Sequence, residues 1–347
     1  MTISATSGVL RSLPSDATRR AVMAMPTGYP AACEDHHDMG RVFVARAITG
    51  DALPRLEAAG HDVEVWPGNL PPHPTELRDA LADADGLLSM LTERVDQALL
   101  DAAPRLKVVA NYAVGFDNVD LAATHKRGIA VGVTPDVLTD ATADLTFALL
   151  LAAARRLPEA ASAVRDGRWR TFEPQGWLGA SVHGATIAIV GARGRIGSAV
   201  ARRARGFDMS VIPVNRGDDV HHALARADFV SLHTPLTDAT RHLIDDAALH
   251  AVKPGAILVN TGRGGLIDQP ALKRALEDGR LGGAALDVTD PEPLPPDDPL
   301  LAAPNIIILP HIGSATHQAR TAMASMSVDN LLAGLAGEPL PYPAPTP

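Results

Sequence analysis

Short apolar runs alternate with helical patterns from residue 41 onward, and this alternation constrains the fold more than any other feature of the chain. The first series of runs comprises Val42–Ala45, Val63–Trp66, Gly86–Leu91, Lys107–Asn111 and Ile129–Val133. The second series comprises Thr186–Val190, Ser210–Val214, Phe229–Leu232, Ala256–Asn260, Ala284–Val288 and Ile306–Leu309. Strands that are separated by helices pair in parallel, so each series predicts a parallel sheet covered by helices.

Two long helical patterns frame the second series. Thr139 to Arg156 precedes it, and Ala315 to Leu335 follows it. A length of 347 residues provides for two domains of ordinary size. We therefore predict two doubly wound α/β domains, with the second inserted into the first and these two helices as the crossovers.

Composition and charge exclude several classes of function. A net charge of -9 argues against nucleic acid or an acidic membrane as a partner. The longest apolar stretch, Leu145 to Ala154, is too short to span a bilayer, and no signal segment opens the chain. Cys33 is the one cysteine, and no Cys/His spacing indicates structural zinc. We expect a cytoplasmic protein without a metal.

Residues 1–40 lack periodicity and predict a disordered N-terminal extension. A start codon assigned too early is an alternative, because Met39 directly precedes the first apolar run. His36 and His37 lie beside two aspartates and suit a metal ion, but a solvated polar segment is the favoured interpretation.

A glycine-rich loop follows the first run of the second series. Gly191, Gly194 and Gly197 open the helical stretch Ser198 to Arg205. Glycines at such a turn let backbone amides approach a pyrophosphate at a helix N-terminus. The spacing is G-x-x-G-x-x-G, so either the loop is one residue longer than the usual dinucleotide motif or Ala192 replaces its first glycine. A tight strand-to-helix turn without a ligand is the structural alternative.

The end of the next strand bears on the choice of cofactor. Asn215 lies about 20 residues beyond the loop, where an acidic residue would bind the ribose hydroxyls of NAD. Arg216 follows it, and a neutral residue with an arginine suits a 2′-phosphate, so we predict NADPH in preference to NADH. Arg193 is a further candidate for phosphate. Asp218 and Asp219 are close enough to neutralise Arg216, which leaves a solvated loop arginine as the alternative.

Four polar residues follow the ends of later strands, namely Arg263, Asp287, Glu292 and His311. Ligands of open parallel sheets bind beyond the carboxyl ends of the strands. An imidazole changes protonation near neutral pH, so His311 is the candidate acid/base, with Glu292 holding its ring. Arg263 is the candidate for binding a substrate carboxylate and polarising its oxo group. Each residue alone also fits a structural role, but together they indicate reduction of a 2-oxo acid.

Three further segments follow strand ends. The Val114–Gly115 amides are candidates for holding the substrate carboxylate, against a simple turn as the alternative. His233 is expected to line the cofactor rather than to transfer a proton. Met90 and Leu91 are expected to pack in the core, with a place in the pocket wall as the alternative.

These segments resemble the D-isomer-specific 2-hydroxyacid dehydrogenase family, and within it the glyoxylate/hydroxypyruvate reductase branch. The segments that match include ANYAVGFDNVDL, GRIGSAVARRARGF, SLHTPLT, LVNTGRGGLID, GAALDVTDPEPLP and LPHIGSAT. The resemblance covers Arg41 to about Leu340. The catalytic arginine, glutamate and histidine of the family correspond to Arg263, Glu292 and His311.

The resemblance implies a Rossmann nucleotide-binding domain at 139–314, inserted into a flavodoxin-like substrate domain at 41–138 and 315–340, with a Pro-rich tail at 341–347. It implies hydride transfer from NAD(P)H to glyoxylate or hydroxypyruvate, and a homodimer built largely through the nucleotide domains. The positions that it assigns to the cofactor are Gly194, Arg195, Ile196, Asn215, Arg216, Thr261, Gly262, Arg263 and Asp287.

Two alternatives to this function stay open. One is a reductase of a longer 2-oxo acid, such as 2-ketogluconate or an aryl pyruvate, with Met90, Leu91 and Trp177 as the residues that would decide. The other is a nicotinamide-sensing binding protein, since transcriptional corepressors share this fold. The complete set of Arg263, Glu292 and His311 argues against a purely binding role.

Overall fold

The computed structural model describes residues 39–346. The predictions for residues 1–38, including the histidine pair and Cys33, lie outside the described residues.

Two parallel sheets form the framework of the described residues. The first sheet has the strand order β2-β1-β3-β4-β5. Its strands are β1 (Arg41–Val44), β2 (Asp62–Val65), β3 (Gly86–Ser89), β4 (Val108–Asn111) and β5 (Ala130–Gly132). The second sheet has the order β11-β10-β9-β8-β6-β7. Its strands are β6 (Thr186–Val190), β7 (Ser210–Val214), β8 (Phe229–Leu232), β9 (Ala256–Asn260), β10 (Leu281–Leu286) and β11 (Ile306–Ile308). The predicted pair of doubly wound sheets is therefore confirmed.

Helices connect successive strands. They are α1 (Pro54–Ala58), α2 (Pro74–Leu81), α3 (Gln97–Ala102), α4 (Leu121–Lys126), α5 (Thr139–Ala154), α6 (Leu157–Arg165), α7 (Arg195–Gly206), α8 (Val220–Leu224), α9 (Asp246–Ala251), α10 (Gln269–Glu277) and α11 (His317–Leu335). Several of these helices begin after an aspartate whose carboxylate accepts a backbone N–H of the first turn, namely Asp96, Asp120, Asp219, Asp245 and Asp268. Within residues 39–346, no helix is long and apolar enough to cross a membrane.

Helices α5 and α11 are the crossovers that connect the two sheets. Helix α5 follows β5 of the first sheet, yet it packs with α7 on one face of the second sheet, where Phe147 and Leu150 join Ile187 and Ile189 in the core. Helix α11 follows β11 of the second sheet, yet it packs on β4 of the first sheet, and Leu331 there is fully buried. The second α/β unit is thus inserted into the first.

Two elements differ from the sequence prediction. Strand β10 begins at Leu281, three residues before the predicted start at Ala284, and its pairing with β9 is irregular between Leu281 and Gly283. Gly282 weakens the strand signal, but a Cβ there would lie 2.4 Å from the Gly255 carbonyl oxygen, so close approach of the backbones requires glycine. Helix α5 ends at Ala154, because Arg156 takes a left-handed conformation (φ 52°) directly before α6.

The C-terminal segment pairs with the free edge of β5. The N–H of Val133 donates to the carbonyl of Tyr342, and the N–H of Ala344 donates to the carbonyl of Val131. The side chain of Asn330 on α11 accepts the N–H of Tyr342 at 3.0 Å. The Pro-rich tail therefore covers a sheet edge that would otherwise expose unpaired backbone groups.

Candidate active site

A cleft of about 1050 Å³ lies between the loops at the carboxyl ends of the two sheets. Its wall includes most of the predicted site residues: Val114, Gly115, Arg195, Ile196, Thr261, Gly262, Arg263, Asp287, Glu292 and His311. Four predicted cofactor residues, Arg193, Gly194, Asn215 and Arg216, are not part of this wall. Loops from both sheets therefore build one site, as expected where the strands are parallel.

An imidazole and a carboxylate are paired in this cleft. His311 Nδ1 lies 2.5 Å from Glu292 Oε1, and the two side chains are 28% and 41% exposed. His311 has a left-handed backbone (φ 53°), which is uncommon for a residue other than glycine. Its N–H donates to the Asp287 carbonyl oxygen at 2.9 Å. The geometry leaves Nε2 as the ring nitrogen that Glu292 does not occupy.

The buried carboxylate of Asp287 anchors the loop that carries His311. Its two oxygens accept the N–H groups of Ile312 and Gly313, both at 2.7 Å. Burial raises the pKa of Asp287 above its ordinary value, and the N–H of Ile312 opposes this shift. Because these bonds fix the backbone on the C-terminal side of His311, Asp287 stabilises the strained turn.

Arg263 lies in the turn after β9, next to the predicted substrate loop. The side chain of Asn260 shapes this turn, because it accepts the N–H of Gly262 at 3.0 Å and donates to the carbonyl of Arg263 at 2.9 Å. A Cβ on Gly115 would lie 1.6 Å from Arg263 Nη2, so any side chain there would displace the guanidinium. The guanidinium and the Gly115 backbone are therefore neighbours.

Several residues in the wall of the cleft were not identified from the sequence, namely Arg46, Asp117, Asp136 and Arg320. Asp117 accepts a hydrogen bond from Arg263, and Asp136 pairs with Arg195 at 2.6 Å. The position of Asp117, two residues after Gly115, was a usable signal. No local signal marks Arg320, because only the packing of α11 brings it to the cleft.

The glycine loop has the geometry of an anion site. Gly191 has φ 83°, and a Cβ there would lie 2.5 Å from the His233 carbonyl oxygen. A Cβ on Gly197 would lie 2.3 Å from the Gly191 carbonyl oxygen. Gly191 thus makes the tight turn, so the loop is one residue longer rather than altered at Ala192. Gly194 precedes α7 without a side-chain cap, which leaves N–H groups at the helix N-terminus for a phosphate. These features fit a dinucleotide.

The end of β7 lies beside this loop. The Asn215 side chain accepts the N–H of Arg193 at 3.0 Å, and the Asp218 carboxylate accepts the N–H of Asn215 at 2.8 Å. Asp219 accepts the N–H of His222 at the start of α8. Arg216 is exposed and makes no ion pair with any described residue. Both nearby acids thus serve backbone amides and leave its positive charge unpaired.

His233, which the sequence predicts to line the cofactor, lies in the wall of the cleft. Its Nε2 lies 2.7 Å from the hydroxyl of Ser231, which is fully buried. Its Nδ1 is buried and has no hydrogen-bond partner among residues 39–346. Burial lowers the pKa of His233 to about 3, so the ring is neutral at physiological pH.

This shift predicts a pH dependence of stability. The unfolded chain binds a proton on His233 below about pH 6.5, whereas the folded chain does not until about pH 3. The stability that the neutral His233 contributes to the folded chain is therefore complete above pH 6.5 and is lost as the pH falls. From pH 6.5 to pH 5.5, the free energy of unfolding in urea should fall by about 1 kcal/mol more in the wild type than in the His233→Asn variant. The same change at the exposed His222 is the control, and equal losses in wild type and His233→Asn would contradict the assignment.

The three residues that were expected to decide the size of the substrate, Met90, Leu91 and Trp177, do not all lie in the cleft. Met90 and Leu91 line the cleft and are only partly buried, which corrects the expectation that they are core residues. Trp177 is not part of its wall and instead packs under Arg168, whose guanidinium carbon lies 5.8 Å from the ring centroid. Within this chain, Met90 and Leu91 can contact a ligand in the cleft and Trp177 cannot. Among the described residues, no cluster of three or more metal-ligating side chains is found.

Comparison with known proteins identifies the family. Residues 147–313 match the family model for D-isomer specific 2-hydroxyacid dehydrogenase, NAD binding domain. A glyoxylate reductase of Korarchaeum cryptofilum is 46% identical over 312 residues, which cover 86% of this chain and 93% of the relative. The crystal structure of the TT0316 protein from Thermus thermophilus is 49% identical, with a TM-score of 0.84 over 88% of this chain and 100% of that chain.

A second solved structure carries ligands. An NADPH-dependent glyoxylate/hydroxypyruvate reductase from Sinorhizobium meliloti, in complex with NADP and malonate, is 32% identical. Its TM-score is 0.77 over 88% of this chain and 96% of that chain. The protein therefore belongs to the D-isomer specific 2-hydroxyacid dehydrogenase family, in the branch of its glyoxylate reductase relatives.

Proposed function

We propose that the protein reduces glyoxylate or hydroxypyruvate to the D-2-hydroxy acid with NADPH as the reductant. The observation that carries the proposal is the 2.5 Å contact between His311 and Glu292 in the same cleft as Arg263. The names of the relatives, which are glyoxylate reductases and an NADPH-dependent glyoxylate/hydroxypyruvate reductase, support the substrate and the cofactor.

The nicotinamide, when bound, supplies the hydride. The residues of the chain supply the rest of the chemistry. Arg263 and the amides of Val114 and Gly115 hold the substrate carboxylate, and the guanidinium polarises the oxo group. His311 donates the proton from Nε2 to the oxygen on which negative charge develops, while Glu292 holds Nδ1–H and stabilises the imidazolium. In the reverse direction, the neutral imidazole accepts the proton from the hydroxyl group.

The residues on the cofactor side divide into two groups. The α7 N-terminus after Gly194 would hold the diphosphate, and Thr261, Gly262 and Asp287 would lie beside the nicotinamide. Arg216, with Arg193 from the longer loop, would bind the 2′-phosphate. The unpaired charge of Arg216 supports this preference for NADPH, because an acid engaged with it would oppose a phosphate.

Replacing Arg216 by alanine is expected to raise the KM for NADPH about tenfold, since a charge-assisted hydrogen bond contributes ~1.5 kcal/mol. The KM for NADH should change less than twofold, because NADH lacks the 2′-phosphate. Arg226→Ala, at another exposed arginine, is the matched control. Steady-state kinetics with each cofactor make the comparison, and an unchanged KM for NADPH would remove Arg216 from the site.

The homodimer expected for this family also has support in this chain. Large apolar side chains between residues 157 and 178 are exposed: Leu157, Val164, Trp169, Phe172, Trp177 and Leu178. Exposed apolar side chains grouped in one segment favour a protein partner, and a second copy is the commonest one. Sedimentation of the purified chain should give twice the monomer mass of 36.3 kDa.

The experiment that tests the function measures loss of reduced-nicotinamide absorbance. NADPH and NADH are each tested against glyoxylate, hydroxypyruvate, 2-ketogluconate and phenylpyruvate. Fast turnover of the two small acids with NADPH is the expected result. Turnover of only the larger acids would overturn the proposed substrate, and turnover of none would overturn the reductase assignment.

A further inference from the structure

The ion pair between Asp117 and Arg263 joins the loops of the two sheets across the cleft. It lies in the loop after β4 of the first sheet, whereas Arg263 lies after β9 of the second sheet. Arg263 Nε donates to Asp117 Oδ1 at 2.9 Å, and the two side chains are 22% and 42% exposed. An ion pair this exposed contributes little to stability, about 0–1 kcal/mol. The fold therefore depends little on this ion pair.

The other contacts of Arg263 define which of its N–H groups are left for a ligand. Nη1 donates to the Gly262 carbonyl oxygen at 2.9 Å, and Nη2 lies against the Gly115 backbone. With Nε occupied by Asp117, the remaining N–H groups are on the two terminal nitrogens. The two terminal nitrogens form one edge of the planar guanidinium, and three of their four N–H groups remain after the Gly262 contact. Nη2 of that edge lies next to the Gly115 backbone.

Asp117 is itself held in place by its neighbours. The Asn118 side chain donates to the carbonyls of Met90 and Glu93, both at 2.9 Å, so it ties this loop to the loop after β3. The fully buried Asn111 side chain donates to the Gly115 carbonyl at 2.8 Å. Asp117 is thus flanked on both sides by residues with fixed backbone positions.

We propose that Asp117 is a positioning residue, whose hydrogen bond to Nε turns the terminal edge of the Arg263 guanidinium toward the substrate carboxylate. The inference rests on the proposed function, because it concerns binding of a 2-oxo acid at the same site. Asp117 does not touch the reacting atoms in this scheme, and it acts only through Arg263.

The test compares Asp117→Ala with Asp117→Asn, since asparagine keeps an oxygen acceptor for Nε and removes the charge. We expect Asp117→Ala to lower kcat/KM for glyoxylate about tenfold, mainly through a higher KM, while the KM for NADPH changes less than twofold. Asp117→Asn should stay within about threefold of the wild type. Asp101→Ala is the control, because Asp101 forms a comparable exposed ion pair with Arg127 away from the cleft.

The second readout is the Kd of oxamate, which presents a carboxylate beside a carbonyl, measured by calorimetry in the presence of NADPH. The Kd should rise about tenfold in Asp117→Ala. This measurement does not depend on turnover. An unchanged or lower KM and Kd in Asp117→Ala would overturn the proposal, because Asp117 would then be neutral or a competitor of the substrate. An equal rise of KM and Kd in Asp117→Ala and Asp117→Asn would also overturn the proposal, because asparagine keeps the acceptor for Nε. Absence of wild-type turnover with intact oxamate binding would instead overturn the proposed function alone.

Discussion

Replacing His311 by glutamine is expected to lower kcat for glyoxylate reduction by about 10² or more, since a positioned acid contributes about 10²–10⁴ in rate. Glutamine is close in length to histidine and keeps a hydrogen-bond donor near Glu292, but its amide cannot deliver a proton to the substrate oxygen. The KM for NADPH should change little, because the proposed cofactor residues follow other strands of the second sheet.

Stopped-flow and steady-state kinetics would measure this loss. The matched control is His317→Gln, at an exposed histidine at the start of α11 outside the wall of the cleft. A variant that retains the rate of the wild type would exclude His311 as the proton donor, and a loss confined to the KM for NADPH would reassign it to the cofactor site.

Replacing Arg263 by lysine is expected to lower kcat/KM for the 2-oxo acid by about 10³. The guanidinium donates to Asp117 and to the Gly262 carbonyl and keeps further N–H groups for a ligand. Lysine keeps the positive charge, but its ammonium group lacks the planar fork that makes these contacts together. The melting temperature should change by only about 2 °C, because the side chain is partly exposed and its ion pair contributes little to stability.

Arg241→Lys is the matched control, since Arg241 forms an exposed ion pair with Asp290 at 3.3 Å. A loss in kcat/KM of less than about fivefold in Arg263→Lys would show that charge alone suffices. The Gly115→Ala variant gives an independent check, because the added methyl would meet Arg263 Nη2 and should lower kcat/KM without removing any charge.

Much of the secondary structure is encoded locally. The predicted bounds of β6, β7, β8 and β9 agree with those observed, because these strands are uninterrupted apolar runs with clear breaks. The start of β10 was not predicted, since Gly282 and Gly283 hide the strand pattern. Those glycines reflect close backbone approach to a neighbouring segment, which a single-residue propensity does not contain.

Some features of the candidate site could be predicted from the sequence and others could not. Arg263, Glu292 and His311 were expected near one another because each follows a parallel strand, and the structure places all three in one cleft. The partner of Arg263 was not expected, since Asp117 is 146 residues away in sequence and belongs to the other sheet. The roles of Asp218 and Asp219 as acceptors for backbone amides were likewise unreadable without the turn geometry.

Local patterns in the chain are enough to specify the two sheets, the glycine loop and the set of polar residues at the strand ends, because apolar periodicity and turn preferences act over a few neighbouring residues. Three features of the site depend instead on packing: Asp117 as the acid that holds Arg263, the unpaired charge of Arg216, and the position of Trp177 outside the cleft. The Asp117 contact arises where the loops of two separately patterned sheets meet. The surroundings of Arg216 and Trp177 are set by the turns of their own loops, which apolar periodicity does not record.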